Sequence, residues 1–163
     1  AFPGWRFTLV EPSAPMLQRC REKAEAAGII SRCTFHEGYL ETLPISGPFD
    51  IATAILVSQF LLQAPARTAF FEEIAARLRP GGHLVTADLS CTSGSALFET
   101  WMHLMRYNGL DEEKLLKYRE AVGQHVAISP PEEIRAFLSQ AGFDTPECFF
   151  QTVLIHAWHT RRH

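Results

Sequence analysis

The sequence predicts an α/β fold with a mostly parallel sheet, because apolar strand-like segments alternate with helical segments. The segment Asp50–Val57 is apolar almost throughout, as a strand buried on both faces of a parallel sheet would be. A helix is predicted over Ala66–Arg79 and ends at Pro80–Gly82, and His83–Leu89 is predicted as the following strand. This strand–helix–strand succession is the pattern that connects neighbouring parallel strands.

Two further strands and a helix are predicted before this unit. Arg6–Glu11 has the character of a short buried strand. A helix follows over Pro15–Ala27, with Ser13 in position to cap its start and Gly28 in position to cap its end. Thr34–Glu37 gives a weaker strand signal, so this part of the chain also alternates between strand and helix.

The alternation stops after the fourth predicted strand, His83–Leu89. Gly94–Asn108 and Asp111–Val122 are consecutive helical segments rich in aromatic and charged residues. We interpret residues 94–128 as a helical insertion or cap on a single domain that spans 1–163. The sequence contains no internal repeat and no interdomain linker that would divide it further.

One helix and two closing strands are predicted for the last part of the chain. Ser129–Glu132 has the spacing of a capping box, with proline near the first helical turn. The helix is expected to run to Ala141 and to end at Gly142. Glu147–Val153 and Leu154–Arg161 then have the character of strands.

The composition excludes several classes of protein. The chain has 163 residues, of which 47% are hydrophobic and 20% are charged, so a globular domain with a sizeable core is expected. Its 15 Lys and Arg against 18 Asp and Glu give a net charge of −3, which does not favour nucleic-acid binding by bulk charge. No apolar run is long enough to span a membrane and no secretory leader is recognised, so a cytoplasmic protein is expected.

Cysteine and histidine spacing predicts no metal site. The four cysteines form no CxxC pair, so free thiols in a reducing cytoplasm are expected. The histidines show neither HxxxH nor HExxH spacing. The chain also lacks a GxSxG turn, a Walker loop and a complete GxGxxG, which leaves hydrolase and phosphate-loop functions without support.

Candidate ligand-binding residues follow the first predicted strand. In open α/β sheets ligands bind beyond the carboxyl ends of the strands, and Glu11 ends this strand. Its carboxylate is suited to accept hydrogen bonds from both hydroxyls of a ribose, or to act as a partner for the dipole of the next helix. Ser13 is expected to cap that helix, and Met16 is placed either to pack on an adenine or to pack in the core.

A second group of candidates follows the other strands. Gly38 would let the backbone approach a ligand closely, with Tyr39 and Leu40 lining a base pocket. The alternative for Tyr39 is a surface residue without a ligand. Ser58 follows a predicted buried strand and is expected to face the same crevice. Asp88 ends a further strand and is expected either to bind substrate or to cap the segment after it.

These segments, in this order, resemble the class I S-adenosylmethionine-dependent methyltransferases. Val10–Met16 (VEPSAPM) resembles their second signature, and Gly38–Pro44 (GYLETLP) resembles the loop that contacts adenine. Phe49–Asp50 opens a buried strand as in the family, and Arg77–Val85 (RLRPGGHLV) and Ala141–Phe143 complete the series. The likeness covers nearly the whole chain.

The resemblance implies a Rossmann-like fold with an antiparallel closing strand and S-adenosyl-L-methionine as cofactor. Many members have an Asp after the glycine of the adenine loop, where this chain has Tyr39, so a side-chain bond to the adenine amino group is not expected. The cofactor-binding residues implied are Glu11, Pro12, Ser13, Met16, Gly38, Tyr39, Leu40, Ile55 and Ser58.

A narrower likeness joins the chain to carboxy-S-adenosylmethionine synthases, which have the methyltransferase fold and serve tRNA wobble-uridine modification. It rests on several short segments, and in one of them Arg119 aligns with an arginine associated with the carboxylate of the modified cofactor. The chain departs from that family at Ile55, where the family has Asn, and at Ala87–Leu89. The segments are Ser58–Leu61, Met102–His103, Asn108–Gly109, Tyr118–Arg119 and Phe149–Gln151.

The function expected is therefore methyl transfer to a small-molecule acceptor, with carboxy-S-adenosylmethionine synthesis as the alternative. Attack on a sulfonium methyl needs alignment more than acid–base chemistry, so no catalytic residue is assigned. Acceptor-binding candidates lie in the helical insertion, although amphipathic packing also accounts for them. They are Trp101, His103, Arg106, Tyr107 and Arg119.

In the family a glycine-rich loop after the first strand binds the methionine end of the cofactor. The chain shows no such motif, and Phe2–Trp5 resembles the link between the first helix and the second strand. We therefore expect the first strand and helix to be absent from this chain, the chain alone to be inactive, and exposed sheet edges to favour a homodimer. A non-catalytic methyltransferase-like module is a further alternative.

Overall fold

The computed structural model describes residues 2–45, 47–92 and 94–163. These residues divide into two compact units, one before Gly47 and the other from Gly47 to His163. The single domain over 1–163 stays a prediction, as does the interpretation of 94–128 as an insertion.

The first unit is a strand–helix–strand unit, as expected from the alternating pattern. Strand β1 (Phe7–Glu11) and strand β2 (Cys33–Glu37) pair in parallel, and helix α1 (Ala14–Ala26) connects them. The helix buries Leu17 and Ala24 on one face. In the parallel register the last residues of the two strands lie side by side, so both chain segments leave the sheet at the same edge.

The second unit contains a four-stranded mixed sheet of order β3–β4–β6–β5. Strands β3 and β4 pair in parallel, whereas β4 with β6 and β5 with β6 are antiparallel. The predicted α/β fold with an antiparallel closing strand is therefore confirmed, with its two parallel pairs in separate sheets. The strands are β3 (Phe49–Ile55), β4 (Leu78–Leu89), β5 (Glu147–Thr152) and β6 (Ile155–Arg161).

The α-helices among the described residues of this unit are α2 (Ala64–Arg77), α3 (Leu97–Tyr107), α4 (Glu112–Ala121) and α5 (Pro131–Gln140). Helices α2 and α5 pack on each other, and α3 packs on α4. Among the described residues, none of the helices combines the length and the apolar character needed to cross a membrane. The core of the unit is built from large apolar side chains, among them Phe71, Leu84, Ile134, Leu138 and Trp158.

The predicted burial of β3 on both faces is wrong. Of its residues only Ala54 is buried, whereas Ile51 and Ile55 are exposed by 41% and 53%. Among the described residues β3 pairs with β4 alone and forms the edge of its sheet. An apolar run has the same appearance in a central strand and in an edge strand, so composition could not separate the two cases.

The capping roles predicted for two serines are also wrong. Ser13 stands at the N-cap position of α1, but its side chain makes no capping hydrogen bond. Helix α5 begins at Pro131 with Pro130 as its N-cap residue. The hydroxyl of Ser129 instead accepts a hydrogen bond from Arg67, because a buried guanidinium needs acceptors.

Candidate functional site

The carboxyl end of β1 holds Glu11 in a defined orientation. Its Oε1 accepts a hydrogen bond of 2.8 Å from the backbone N–H of Ser13, at the start of α1. The backbone N–H of Gly38 donates to the carbonyl oxygen of Glu11 at 3.2 Å, which ties the ends of β1 and β2 together. No described residue bonds Oε2, so this oxygen is available to a ligand hydroxyl. The carboxylate thus partners the helix N-terminus without losing its capacity to bind a ribose.

The residues that follow Glu11 present an open surface. Pro12 is exposed and Ser13 is partly buried. Met16 is exposed by 49%, so its side chain is not part of the core of this unit. This exposure contradicts packing in the core, and the adenine contact of Met16 stays a prediction.

The turn after β2 is tight and needs a glycine. Gly38 has φ of +154°, and a Cβ there would lie 2.6 Å from Oγ1 of Thr42 and 3.0 Å from Nε2 of His36. Tyr39 is exposed by 63% and Leu40 is partly buried. The turn therefore offers backbone, an aromatic ring and an aliphatic side chain, a set of groups that suits a nucleoside base.

Sequence reasoning missed both partners that shape this turn. Nε2 of His36 lies 2.8 Å from Oγ1 of Thr42, and that hydroxyl donates to the carbonyl oxygen of Tyr39 at 2.7 Å. No general spacing rule relates a histidine and a threonine on either side of a glycine, so the sequence did not indicate this contact. The sequence indicated only that the backbone at Gly38 comes close to another group, because glycine permits such an approach.

The two cofactor-binding candidates of the second unit differ in exposure. Ile55 ends β3 and is exposed, whereas Ser58 is fully buried. The hydroxyl of Ser58 lies 2.8 and 2.9 Å from the two carboxylate oxygens of Asp88, to which it donates. The side chain of Ser58 is thus committed to a protein partner, and the cofactor contact expected of this residue stays a prediction.

Ser58 belongs to a buried polar cluster that the sequence did not indicate. Arg67 forms an ion pair of 3.1 Å with Asp88, and the two side chains are 1% and 0% exposed. The guanidinium also donates to the hydroxyls of Ser58 and Ser129 at 2.9 Å. Among the described residues the side chain of Asp88 bonds Ser58, Gln59 and Arg67 and does not cap the segment that follows, so the capping role is wrong and the substrate contact stays a prediction. The cluster holds together the ends of β3 and β4 and the segment before α5.

Burial dominates the electrostatics of this cluster. Loss of water raises the pKa of Asp88 to about 6, although the charge of Arg67 and hydrogen bonds from Ser58, Gln59 and Arg67 oppose the shift. The same burial lowers the pKa of Arg67, which the carboxylates of Asp88 and Glu133 oppose. The attraction between the two charges therefore offsets only part of the free-energy cost of burying them.

Helices α3 and α4 enclose a cavity of about 140 Å³. Three of the five acceptor-binding candidates line it, namely His103, Arg106 and Arg119, whereas Trp101 and Tyr107 do not. Tyr107 is 88% exposed. The other lining residues are Glu99, Met102, Glu112, Leu115 and Leu116.

The arginines of this cavity are paired with carboxylates of the chain itself. Arg119 donates from Nη1 and Nη2 to the two oxygens of Glu99 at 2.8 and 2.9 Å, and its guanidinium lies 5.3 Å from the ring of Phe98. Arg106 pairs with Glu112 at 2.7 Å. The position that a ligand carboxylate would take on Arg119 is therefore filled by Glu99.

Within the described residues, no three His, Cys, Asp or Glu side chains come together as metal ligands. Two histidines do meet across β4 and β6, where Nδ1 of His83 lies 2.9 Å from Nε2 of His159. One of these nitrogens donates and the other accepts, which is a structural role for the pair.

Comparison with known proteins agrees with this geometry. A family model described as a methyltransferase domain matches residues 1–82. The carboxy-S-adenosyl-L-methionine synthase of Salmonella paratyphi A is 29% identical over 153 residues, which are 90% of this chain and 60% of that protein. The chain thus spans about 60% of the length of the curated relatives it matches.

Solved structures show the same fold at lower identity. An O-methyltransferase family 2 protein from Planctomyces limnophilus superposes with a TM-score of 0.72 at 18% identity, over 99% of this chain and 44% of that one. The mitomycin 7-O-methyltransferase MmcR superposes with a TM-score of 0.68 at 22% identity, over 99% of this chain and 43% of that one. The fold, the strand-end carboxylate and the family match agree, and the chain belongs to the methyltransferase-domain family, whose cofactor is S-adenosylmethionine.

Proposed function

We propose that the protein transfers the methyl group of S-adenosylmethionine to a small-molecule acceptor. The observation that carries this proposal is the oriented carboxylate of Glu11, which has one oxygen on the Ser13 N–H and the other available at the end of β1. The cofactor supplies an activated methyl group and a neutral thioether leaving group. The protein then has to align donor and acceptor, which accounts for a large part of the rate in such reactions.

In this proposal the first unit binds the adenosine end of the cofactor. Glu11 accepts hydrogen bonds from the ribose hydroxyls, beside Pro12 and Ser13. The exposed side chain of Met16 and the turn formed by Gly38, Tyr39 and Leu40 provide apolar surface and backbone for the adenine. Contacts by Ile55 and Ser58 remain predictions from the family resemblance.

The acceptor site proposed is the cavity between α3 and α4. Its lining includes the apolar side chains of Met102, Leu115 and Leu116 together with His103. Both arginines of the lining are already paired with carboxylates. This mixed lining favours a small amphipathic acceptor, and contacts by Trp101 and Tyr107, which lie outside the lining, remain predictions.

Titration of the full-length protein with S-adenosylmethionine tests the cofactor site. The variant Glu11→Gln keeps the shape of the side chain and removes its charge, and we expect it to weaken binding about tenfold or more. The matched control is Glu37→Gln, because Glu37 is the residue paired with Glu11 in register at the end of β2 and is exposed. Equal affinity of Glu11→Gln and wild type would show that the ribose assignment is wrong.

A second candidate function is carboxy-S-adenosylmethionine synthesis. The 29% identity to synthases of that name and the position of Arg119 favour it. The pairing of Arg119 with Glu99 opposes it, because a ligand carboxylate would have to displace Glu99. Mass spectrometry of ligand released from the full-length protein separates the two functions, since the carboxylated cofactor is heavier. Ordinary cofactor alone, unaffected by Arg119→Ala, would exclude the synthase function.

The remaining expectations concern the state of the protein in the cell. We propose a cytoplasmic location and a homodimer, which fractionation and light scattering would test. A non-catalytic role remains the alternative to methyl transfer. Cofactor binding without methyl transfer to any acceptor pool would favour that alternative.

A further inference from the structure

We propose that His36 and Thr42 are positioning residues, which fix the turn Gly38–Leu40 in the conformation that receives the adenine of S-adenosylmethionine. The inference rests on the proposed function and extends it to two side chains outside the expected binding set. Neither side chain has to contact the cofactor, because both act through the backbone of the turn.

The turn is closed by a short chain of hydrogen bonds. The carbonyl oxygen of Tyr39 accepts from Oγ1 of Thr42 at 2.7 Å and from its backbone N–H at 3.0 Å. The backbone N–H of Leu43 donates to the carbonyl oxygen of Leu40 at 3.0 Å. At the other end the N–H of Gly38 donates to the carbonyl oxygen of Glu11. The backbone from Gly38 to Leu40 is thereby held at both ends, while the ring of Tyr39 remains exposed.

The chemistry of the hydroxyl makes Nε2 of His36 the donor in this contact. Thr42 has one hydroxyl proton, and Oγ1 donates it to the carbonyl oxygen of Tyr39. Toward His36 the same oxygen acts only as an acceptor, so Nε2 carries a proton. In the neutral ring this places the proton on Nε2 and leaves Nδ1 as an acceptor. A doubly protonated ring makes the same bond, so the contact does not depend on the charge of His36.

The same two side chains explain why position 38 is glycine. They occupy the space that a Cβ would need, at 2.6 Å for Oγ1 of Thr42 and 3.0 Å for Nε2 of His36. The two hydrogen-bonding side chains thus lie directly against the backbone of Gly38. This matters because Tyr39 stands where many methyltransferases have an aspartate, so recognition at this turn depends more on backbone position.

The test uses an isosteric substitution in the full-length protein. Thr42→Val keeps the size and branching of the side chain and removes the hydroxyl, whereas Thr42→Ser keeps the hydroxyl. We expect Thr42→Val to weaken S-adenosylmethionine binding about fivefold or more, and Thr42→Ser to stay within about twofold of wild type. Thr34→Val is the control, since Thr34 is an exposed threonine on β2.

A spectroscopic measurement separates positioning from a general loss of structure. The ¹⁵N shifts of the His36 ring report its tautomer, and we expect a proton on Nε2 in wild type and in Thr42→Ser. In Thr42→Val the two neutral tautomers should mix, while far-UV circular dichroism stays unchanged. A ring protonated at Nδ1 alone in wild type would overturn the hydrogen-bond assignment.

The outcomes distinguish this inference from the proposed function. If wild type binds S-adenosylmethionine and Glu11→Gln weakens it, but Thr42→Val binds as wild type does, the positioning role is wrong and the proposed function stands. Equal weakening by Thr42→Ser and Thr42→Val would also overturn it, since the hydroxyl would then not matter. Absence of binding by wild type would contradict the proposed function itself.

Discussion

Two arginine–carboxylate pairs of the second unit have the same chemistry and opposite surroundings. Arg67 and Asp88 are 1% and 0% exposed, whereas Arg119 and Glu99 are 48% and 55% exposed. The buried pair has lost its water and depends on neighbouring hydroxyls, so each charge needs the other. In the exposed pair, water solvates each charge when its partner is removed, so loss of the pair costs little free energy. Burial, more than distance, therefore decides what each pair contributes to the protein.

The largest effect is expected from breaking the buried pair. Asp88→Ala or Arg67→Ala leaves one charge in the core without its partner, and each should lower the free energy of unfolding by about 3–5 kcal/mol. Urea denaturation measures this loss. The double variant Arg67→Met with Asp88→Leu should cost much less than the sum of the two single changes, because no charge then remains unpaired. Additive losses would show that the two residues are not coupled.

The next effect is a dependence of stability on pH. Burial raises the folded-state pKa of Asp88 from 3.8 to about 6, so folding favours the protonated carboxyl. The contribution of Asp88 to the free energy of unfolding is fully present below pH 3.8 and is lost as the pH rises through about 6. The total loss is about 3 kcal/mol. Asp88→Asn removes this titration. The unfolding free energy of wild type minus that of Asp88→Asn should therefore decrease from pH 4 to pH 7, and a constant difference would contradict the assignment.

A smaller effect is expected at the edge of the same cluster. Ser129→Ala removes one acceptor of the Arg67 guanidinium but leaves the ion pair intact. The loss should be about 1 kcal/mol by urea denaturation. Ser139→Ala is the control, because Ser139 lies exposed on α5. A loss as large as that of Asp88→Ala would mean that the hydroxyl, and not the ion pair, holds the cluster.

The smallest effect on stability is expected from the exposed pair. Glu99→Gln should leave the urea midpoint unchanged within error, and high salt should remove any residual difference. The same change frees the guanidinium of Arg119 in the α3–α4 cavity. If that cavity accepts anionic molecules, Glu99→Gln should bind them more tightly than wild type does, as isothermal titration would measure. A marked loss of stability would show that exposure does not weaken this pair.

Local pattern was sufficient to predict most of the elements. The hydrophobic run of β3 and the glycine after α1 are properties of neighbouring residues, and each predicted its element correctly. The stop predicted at Pro80–Gly82 was wrong, because α2 ends at Arg77 and Pro80–Gly82 lie within β4. The position of Glu11 at a strand end was also predictable, because the strand and the next helix are both local features. The side-chain bond to Ser13 joins residues only two apart.

The parts that could not be predicted depend on residues far apart in the chain. Arg67 meets Asp88 and Ser129 across 21 and 62 positions, and no spacing rule links such residues. Sequence reasoning expected Ser58 to face a ligand crevice and Asp88 either to bind substrate or to cap the next segment, whereas in the structure both side chains contact the buried Arg67. The exposure of β3 was missed for a related reason, since the number of neighbours of a strand is a property of the whole sheet.

The distances in sequence across the buried cluster also bear on the order of folding. Arg67, Ser58, Asp88 and Ser129 come together only after long loops have closed, and loop closure has to precede the gain from such contacts. We therefore expect the ion pair to form after the transition state. Substitutions in it should then leave the folding rate nearly unchanged and accelerate unfolding, so that this cluster determines how long the folded protein lasts once it has formed.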